Sequence, residues 1–146
     1  MGSSSGVVLE LFIAIKGLGK EARDELNVDE KGILEDKFYA KDSNRSILIT
    51  SKESYLLAKS QGIDAPYSAL GENILIDINP YHLRCGDKIV IGDIELVITQ
   101  NCTICNSLAK VDERLPEILK CDRGIFAKTL KSGKIRKGDS VKIFKY

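Results

Sequence analysis

The chain has a single histidine, His82, and this scarcity weakens any hydrolytic triad built on an imidazole base. It is also nearly free of net charge: 22 lysines and arginines face 21 acids, for a net charge of +1. That balance gives no global attraction to nucleic acid or to an anionic membrane. Long apolar runs are missing too. The longest, Val7 to Ile15, contains Glu10 and falls far short of the ~20 residues that span a bilayer. No basic flank or small-residue cleavage site marks a secretory signal, so the cytoplasm is the expected location. Residues 1–6, Met-Gly-Ser-Ser-Ser-Gly, read as a flexible start of the kind a cloning vector leaves, and residues 7–146 as a single domain. Four cysteines in so aliphatic a chain do not form the pattern of a small secreted disulfide scaffold, and reduced thiols are expected.

What is present is β-rich. Val7 to Ile15 reads as a buried strand ending in the basic, glycine-rich turn Lys16-Gly17-Leu18-Gly19-Lys20. Residues 21–44 are polar and turn-rich, with one short candidate strand at Glu25–Val28. Arg45 to Ile49 resumes a strand, and Thr50-x-x-Glu53 resembles a capping box that starts a helix ending at Gly62. Tyr55, Leu56, Ala58 and the stem of Lys59 give that helix a partial apolar face, predicting a place at the edge of the sheet. Gly86 to Ile98 reads as two strands joined by a tight Gly92-Asp93 hairpin. Leu108, Val111, Leu115 and Ile118 recur at helical spacing, which Pro116 breaks or restarts. Ile125–Leu130 and Val141–Phe144 read as closing strands separated by a turn at residues 131–134. Arg84-Cys85-Gly86-Asp87 echoes in Arg136-Lys137-Gly138-Asp139, two turns of one kind that suit a small barrel. The predicted class is mostly β, a closed or partly open barrel with a few peripheral helices.

Cys102-Thr103-Ile104-Cys105 lies where a β-run ends and a helical pattern begins. Unpaired N–H groups at a helix start favour the thiolate, the form that attacks and binds metals. Two readings follow from the residues. A C-x-x-C pair is the machinery of thiol–disulfide exchange, although the expected βαβ context is missing. Alternatively, His82-x-x-Cys85 and Cys102-x-x-Cys105 are ligand pairs of zinc-knuckle spacing, which the Gly92-Asp93 hairpin brings to one open end. Cys85 and Cys121 also read simply as small buried hydrophobes, and His82 as an ordinary loop residue.

Taken in order, several landmarks resemble a small stand-alone MOSC domain, named after the C-terminal part of molybdenum-cofactor sulfurase. They are Lys16-Gly17, Gly32-Ile33-Leu34-Glu35-Asp36, Arg45, Gly71-Glu72-Asn73-Ile74, Gly86-Asp87, Thr99-Gln100, Cys105, Arg123-Gly124 and Gly138-Asp139. Glu35 stands where the family's G-D element has a second glycine, and Ile104 where many relatives have proline. The resemblance implies a pseudo-barrel that binds molybdenum cofactor (molybdopterin) or a sulfur-bearing relative. Cys105 would then coordinate molybdenum or carry sulfane sulfur, with Cys102 an extra thiol. Lys16, Arg45 and Arg123 are the implied cations for the cofactor's phosphate, and Glu72, Asn73 and Thr103 the implied orienting residues. The resemblance also implies a sulfur transferase or cofactor-dependent component that works with cofactor-biosynthesis or sulfurtransferase proteins.

Overall fold

The computed structural model describes residues 4–101, 111–119 and 123–145. Eleven strands run through it: β1 (Ser4–Ile15), β2 (Gly19–Arg23), β3 (Glu25–Asp29), β4 (Gly32–Ile33), β5 (Ile47–Ser51), β6 (Ile74–Ile76), β7 (Lys88–Ile91), β8 (Ile94–Asn101), β9 (Ile125–Lys128), β10 (Gly133–Arg136) and β11 (Ser140–Phe144). Helix α1 spans Lys52–Ser60, a short helix α2 spans Leu115–Ile118, and a 3₁₀ turn spans Ser43–Arg45. Seven strands close into a barrel in the order β11-β7-β8-β9-β5-β6-β1, with β1 pairing back to β11. Among the described strands only β5 and β6 run parallel. β2 extends β1 outward, and β3, β4 and β10 form a separate small sheet.

Alternation decides what fills the barrel. On β7, β8 and β11 every second residue is apolar, so Ile89, Ile91, Leu96, Ile98, Val141 and Ile143 all point inward and are buried. Leu26, Val28, Ile33 and Ile135 of the small sheet belong to the same core, which makes that sheet a lid on the barrel. On β6, Ile74 and Ile76 face in while Leu75 faces out, where Tyr55 and Ala58 of α1 cover it together with Leu115 and Leu119.

The echoed Arg-x-Gly-Asp segments are one turn used twice. The Asp87 carboxylate accepts the Arg84 N–H at 2.8 Å, and Asp139 accepts the Arg136 N–H at 2.8 Å. Gly86 and Gly138 both adopt left-handed backbone, with φ of 98° and 86°. Each glycine N–H reaches the carbonyl of a neighbouring strand, Ile98 in one case and Val8 in the other, and the same two residues donate their N–H groups to Asp87 and Asp139. The hairpin turn at Gly92-Asp93 forms as the sequence predicts, with φ of 58° at Gly92.

Several expectations need correction. Ser4, Ser5 and Gly6 are not part of a flexible start: they open β1 and pair with Ile143, Lys142 and Val141 of β11. Residues 21–44 are turn-rich as expected, and β3 forms at the candidate strand Glu25–Val28 with alternating exposed and buried residues; the end of β2 and the two-residue β4 are additions to that reading, β2 being too exposed and β4 too short to show a pattern. β10 occupies Gly133–Arg136, where the basic run suggests a turn. Arg45 lies in the 3₁₀ turn rather than opening β5. The N-cap of α1 is Ser51, whose hydroxyl accepts the Glu53 N–H at 3.1 Å, because Thr50 Oγ1 is directed to the Arg123 carbonyl instead. Leu56 and Lys59 are exposed; Ser54, Tyr55 and Ala58 form the buried face. Cys85 is exposed, since it occupies the same outward position of its turn as the exposed Lys137 does in the second turn. Of the predicted helical stripe, Leu108 lies outside the described residues, as does Cys121; Leu115 is buried and Ile118 packs against its cluster, whereas Val111 is exposed. α2 does start afresh at Pro116, within its first turn.

Glu35 holds a backbone that suits glycine. Its φ of 72° lies in the left-handed region, and its exposed side chain makes only a loose ion pair with Arg23 at 3.9 Å. Glu35→Gly is therefore expected to raise stability by about 1 kcal/mol, the relieved strain exceeding the added chain entropy of the unfolded state. Urea denaturation checks this; a loss of stability would show that the side chain matters more than the backbone.

Candidate functional site

Ile47 and Ile49 of β5 face the barrel core, as do Ile125 and Ala127 of β9, so Leu48 and Phe126 are displayed on the outer wall and pack on each other. This outer face is the focus of the site. Arg45 lies over the Phe126 ring, its guanidinium carbon 5.3 Å from the ring centre. Arg123, just before β9, is buried, and its Nε and Nη2 donate to the Leu70 carbonyl at 3.2 and 3.1 Å. β8 ends where Asn101 pairs with Ile125, and Cys102, Thr103 and Cys105 follow it in sequence. Those three residues themselves lie outside the described residues.

Glu72 and Asn73 join the two sides of the site. The Glu72 carboxylate accepts the Tyr55 hydroxyl at 2.8 and 2.6 Å and the Ser68 N–H at 3.0 Å. Burial pushes its carboxyl above the ordinary carboxylate value, against the opposing pull of Tyr55, Ser68 and Lys20. Burial and the facing carboxylate push the Tyr55 hydroxyl up as well. Asn73 accepts the Leu48 N–H at 3.0 Å and donates to the Phe12 carbonyl and to Asp36, each at 3.2 Å. Asp36 in turn accepts the N–H groups of Ala14 at 2.6 Å and Phe38 at 3.0 Å. The amide of Asn73 is thus committed to joining β1, β5 and the loop after β4.

The structure brings Arg45, Glu72, Asn73 and Arg123 to one side of the barrel, whereas Lys16 is exposed in the β1–β2 turn. The cation that reaches the site from that hairpin is Lys20. It stands opposite Ala14, half-buried, within electrostatic range of Asp36, Glu72 and Arg123. Burial lowers its ammonium below the ordinary lysine value, offset in part by the two carboxylates. The signal for it lies in the register: a turn at residues 16–18 makes residue 20 the partner of residue 14. Lys20 makes no hydrogen bond or ion pair among the described residues, which leaves its ammonium available to an anion. Of the seven basic residues between Lys128 and Lys145, by contrast, Lys134, Arg136 and Lys137 are engaged by Glu25 and Glu10.

Among the described residues no group of three or more histidine, cysteine, aspartate or glutamate side chains converges on a metal position. Among them, too, no helix is long and apolar enough to cross a membrane.

Fold and site together define a closed β-barrel with a cationic, partly apolar outer face. Residues 35–142 match the family model of the MOSC domain, and the chain belongs to that family, which is associated with molybdenum cofactor and cofactor-sulfurase domains. No functionally curated protein matches the chain by sequence. Its fold is similar to that of the YuaD protein of Bacillus subtilis, at 18% identity and a TM-score of 0.89, covering 99% of this chain and 98% of that one. It is also similar to YiiM from Escherichia coli, at 17% identity and a TM-score of 0.73, covering 98% of this chain and 71% of that one. YiiM from Geobacillus stearothermophilus gives 18% and 0.68, covering 94% and 72%.

Proposed function

We propose that the protein binds molybdenum cofactor, or a related sulfur-bearing species, on the Leu48–Phe126 face and engages it through the Cys105 thiolate. The observation that carries this reading is the family match over residues 35–142. The donor set is chemically suited to the ligand. Arg45 and Lys20 have no ion-pair partner among the described residues, and with Arg123 they supply positive charge for a phosphate. Phe126 and Leu48 offer an apolar surface for a ring. When bound, the cofactor supplies metal and sulfur redox chemistry that no side chain provides.

The chain's own chemistry centres on sulfur. A Cys105 thiolate attacking the outer sulfur of a donor persulfide, R–S–SH, forms a new S–S bond, keeps the proton on the transferred sulfur and releases R–S⁻. No external oxidant is needed. A soft thiolate is equally suited to binding molybdenum directly. In both roles Cys102 is dispensable, and the protein acts as a sulfur transferase or carrier beside a donor protein in the cytoplasm.

The test is native mass spectrometry with elemental analysis on protein purified anaerobically from a host that makes the cofactor, beside Cys105→Ser and Cys102→Ser. Molybdenum with a pterin mass, or a labile sulfur adduct, is expected in the parent and in Cys102→Ser and absent from Cys105→Ser. Loading that survives in Cys105→Ser overturns the assignment of that thiol. Stoichiometric zinc without an adduct, lost together with stability in both variants, replaces the reading with a zinc-stabilised module.

A further inference from the structure

The geometry points to a second ligand site, on the exposed surface of α1, for a small aromatic monoanion such as an arylcarboxylate. The site is a groove of about 300 Å³ between α1 and residues 63–67. That is the size of a small ligand pocket, enough for one ring or two fused rings. It shares Tyr55, the partner of Glu72, with the site described above, but none of its other lining residues belongs to that site.

Three features fix the ligand class. First, the apolar lining is exposed: Leu56 is 54% and Tyr67 45% accessible, although both face a concave surface that also includes Ile63 and Pro66. The Tyr67 ring is held in place, meeting Tyr55 edge-on with centroids 5.0 Å apart at 75°, and so presents a preorganised surface to a second ring. Second, two cations flank that lining. Lys52, Leu56 and Lys59 fall on one stripe of the helix at i, i+4 and i+7. Neither lysine side chain makes an ion pair or hydrogen bond among the described residues. Lys52 is moreover the first residue of α1, at the positive end of the helix dipole, where a cation is disfavoured and a bound anion is favoured. Third, Asp64 also lines the groove without pairing to either lysine. It opposes a second negative charge, so a ring with one carboxylate suits the groove better than a polyphosphate or dicarboxylate.

Simple alternatives match less of this surface. A neutral aromatic compound leaves both lysines unused. Inorganic phosphate leaves Leu56 and Tyr67 uncovered.

The test is a titration of the whole ¹⁵N-labelled protein with 2-naphthoate, followed by amide chemical shifts, beside the neutral 2-naphthalenemethanol and inorganic phosphate. Saturable shifts confined to α1 and residues 63–67 are expected. The neutral analogue should bind at least about tenfold more weakly, as should the Lys52→Glu/Lys59→Glu variant, each a change of about 1.4 kcal/mol. Both side chains lie at the surface, and thermal unfolding confirms that the variant is folded; if it is not, Lys59→Gln carries the same test with a smaller loss. Shifts centred elsewhere, equal binding of the neutral compound, phosphate binding as tight as naphthoate, unchanged affinity in the charge variants, or no binding overturns the site. Cofactor loading of the parent protein is read separately, so a failed groove leaves the Cys105 reading intact.

Discussion

Replacing Asn73 by alanine is expected to cost about 4 kcal/mol, because one buried side chain satisfies three groups and each orphaned polar group costs roughly 1–3 kcal/mol. Its amide accepts from Leu48 N–H and donates to the Phe12 carbonyl and to Asp36, so its loss uncouples β5 from β1 and leaves Asp36 with one donor fewer. Domains of this size have roughly 5–15 kcal/mol in total, so the variant should be largely unfolded at modest urea. Asn73→Asp separates geometry from polarity. It keeps an acceptor for Leu48 but turns an oxygen toward the Phe12 carbonyl and the Asp36 carboxylate, and a similar loss is expected. A purely ligand-orienting role predicts the opposite pattern, with stability intact in both variants and only cofactor loading reduced. Chemical denaturation followed by circular dichroism decides between them.

Tyr55→Phe should carry a penalty that grows with pH. The hydroxyl donates to Glu72 and accepts the Leu70 N–H at 3.2 Å, and its removal leaves a buried carboxyl and a buried amide short of partners. In the native protein the Glu72 carboxyl already titrates above its ordinary value because burial disfavours the charge. A folded-state pKa raised above the unfolded one contributes stability in full below the unfolded value and loses it as pH climbs through the folded value. The Tyr55 hydrogen bond opposes that rise, so deleting it lifts the Glu72 pKa further. The deficit of Tyr55→Phe relative to the native protein is then flat while Glu72 is protonated in both. It widens once the native carboxyl ionises, from about 1 kcal/mol on the acid side to about 3 kcal/mol on the alkaline side. In a Glu72→Gln background the same substitution should show no such slope. A slope that persists there would assign the titration to another group.

Much of the barrel is legible in the sequence, and its limits have physical causes. Strict alternation around Gly92-Asp93 is visible because β7 and β8 each have one face in the core and one in solvent. β2 and β10 are not, since Lys, Glu and Arg alternate with little that is apolar and their pairing comes from β1 and β3 rather than from their own composition. Two adjacent hydroxyls, Thr50 and Ser51, compete for the helix cap, and the choice depends on the Arg123 carbonyl, which lies 73 residues away from Thr50 in sequence. The site was open to the same kind of reading only in part. Glu72 and Arg123 are conspicuous beside glycines, but Lys20 rather than Lys16 enters the cluster because hairpin register, not proximity to the first strand, sets which lysine turns inward. The positive φ at Glu35 is the counterpart case: a departure from the family's glycine is readable in the letters, its backbone consequence only in space.

The pairing of β1 with β11 has a consequence for how the chain is made. Ser4 stands opposite Ile143, so the barrel is sealed by the strand that a ribosome delivers last among the eleven. Until residues 140–144 have emerged, β1 and β7 both present unpaired edges and the core of Val141 and Ile143 is missing. Stable structure is therefore expected only once β11 has emerged, and in one step, and a nascent chain arrested before Ser140 should be protease-sensitive along most of its length.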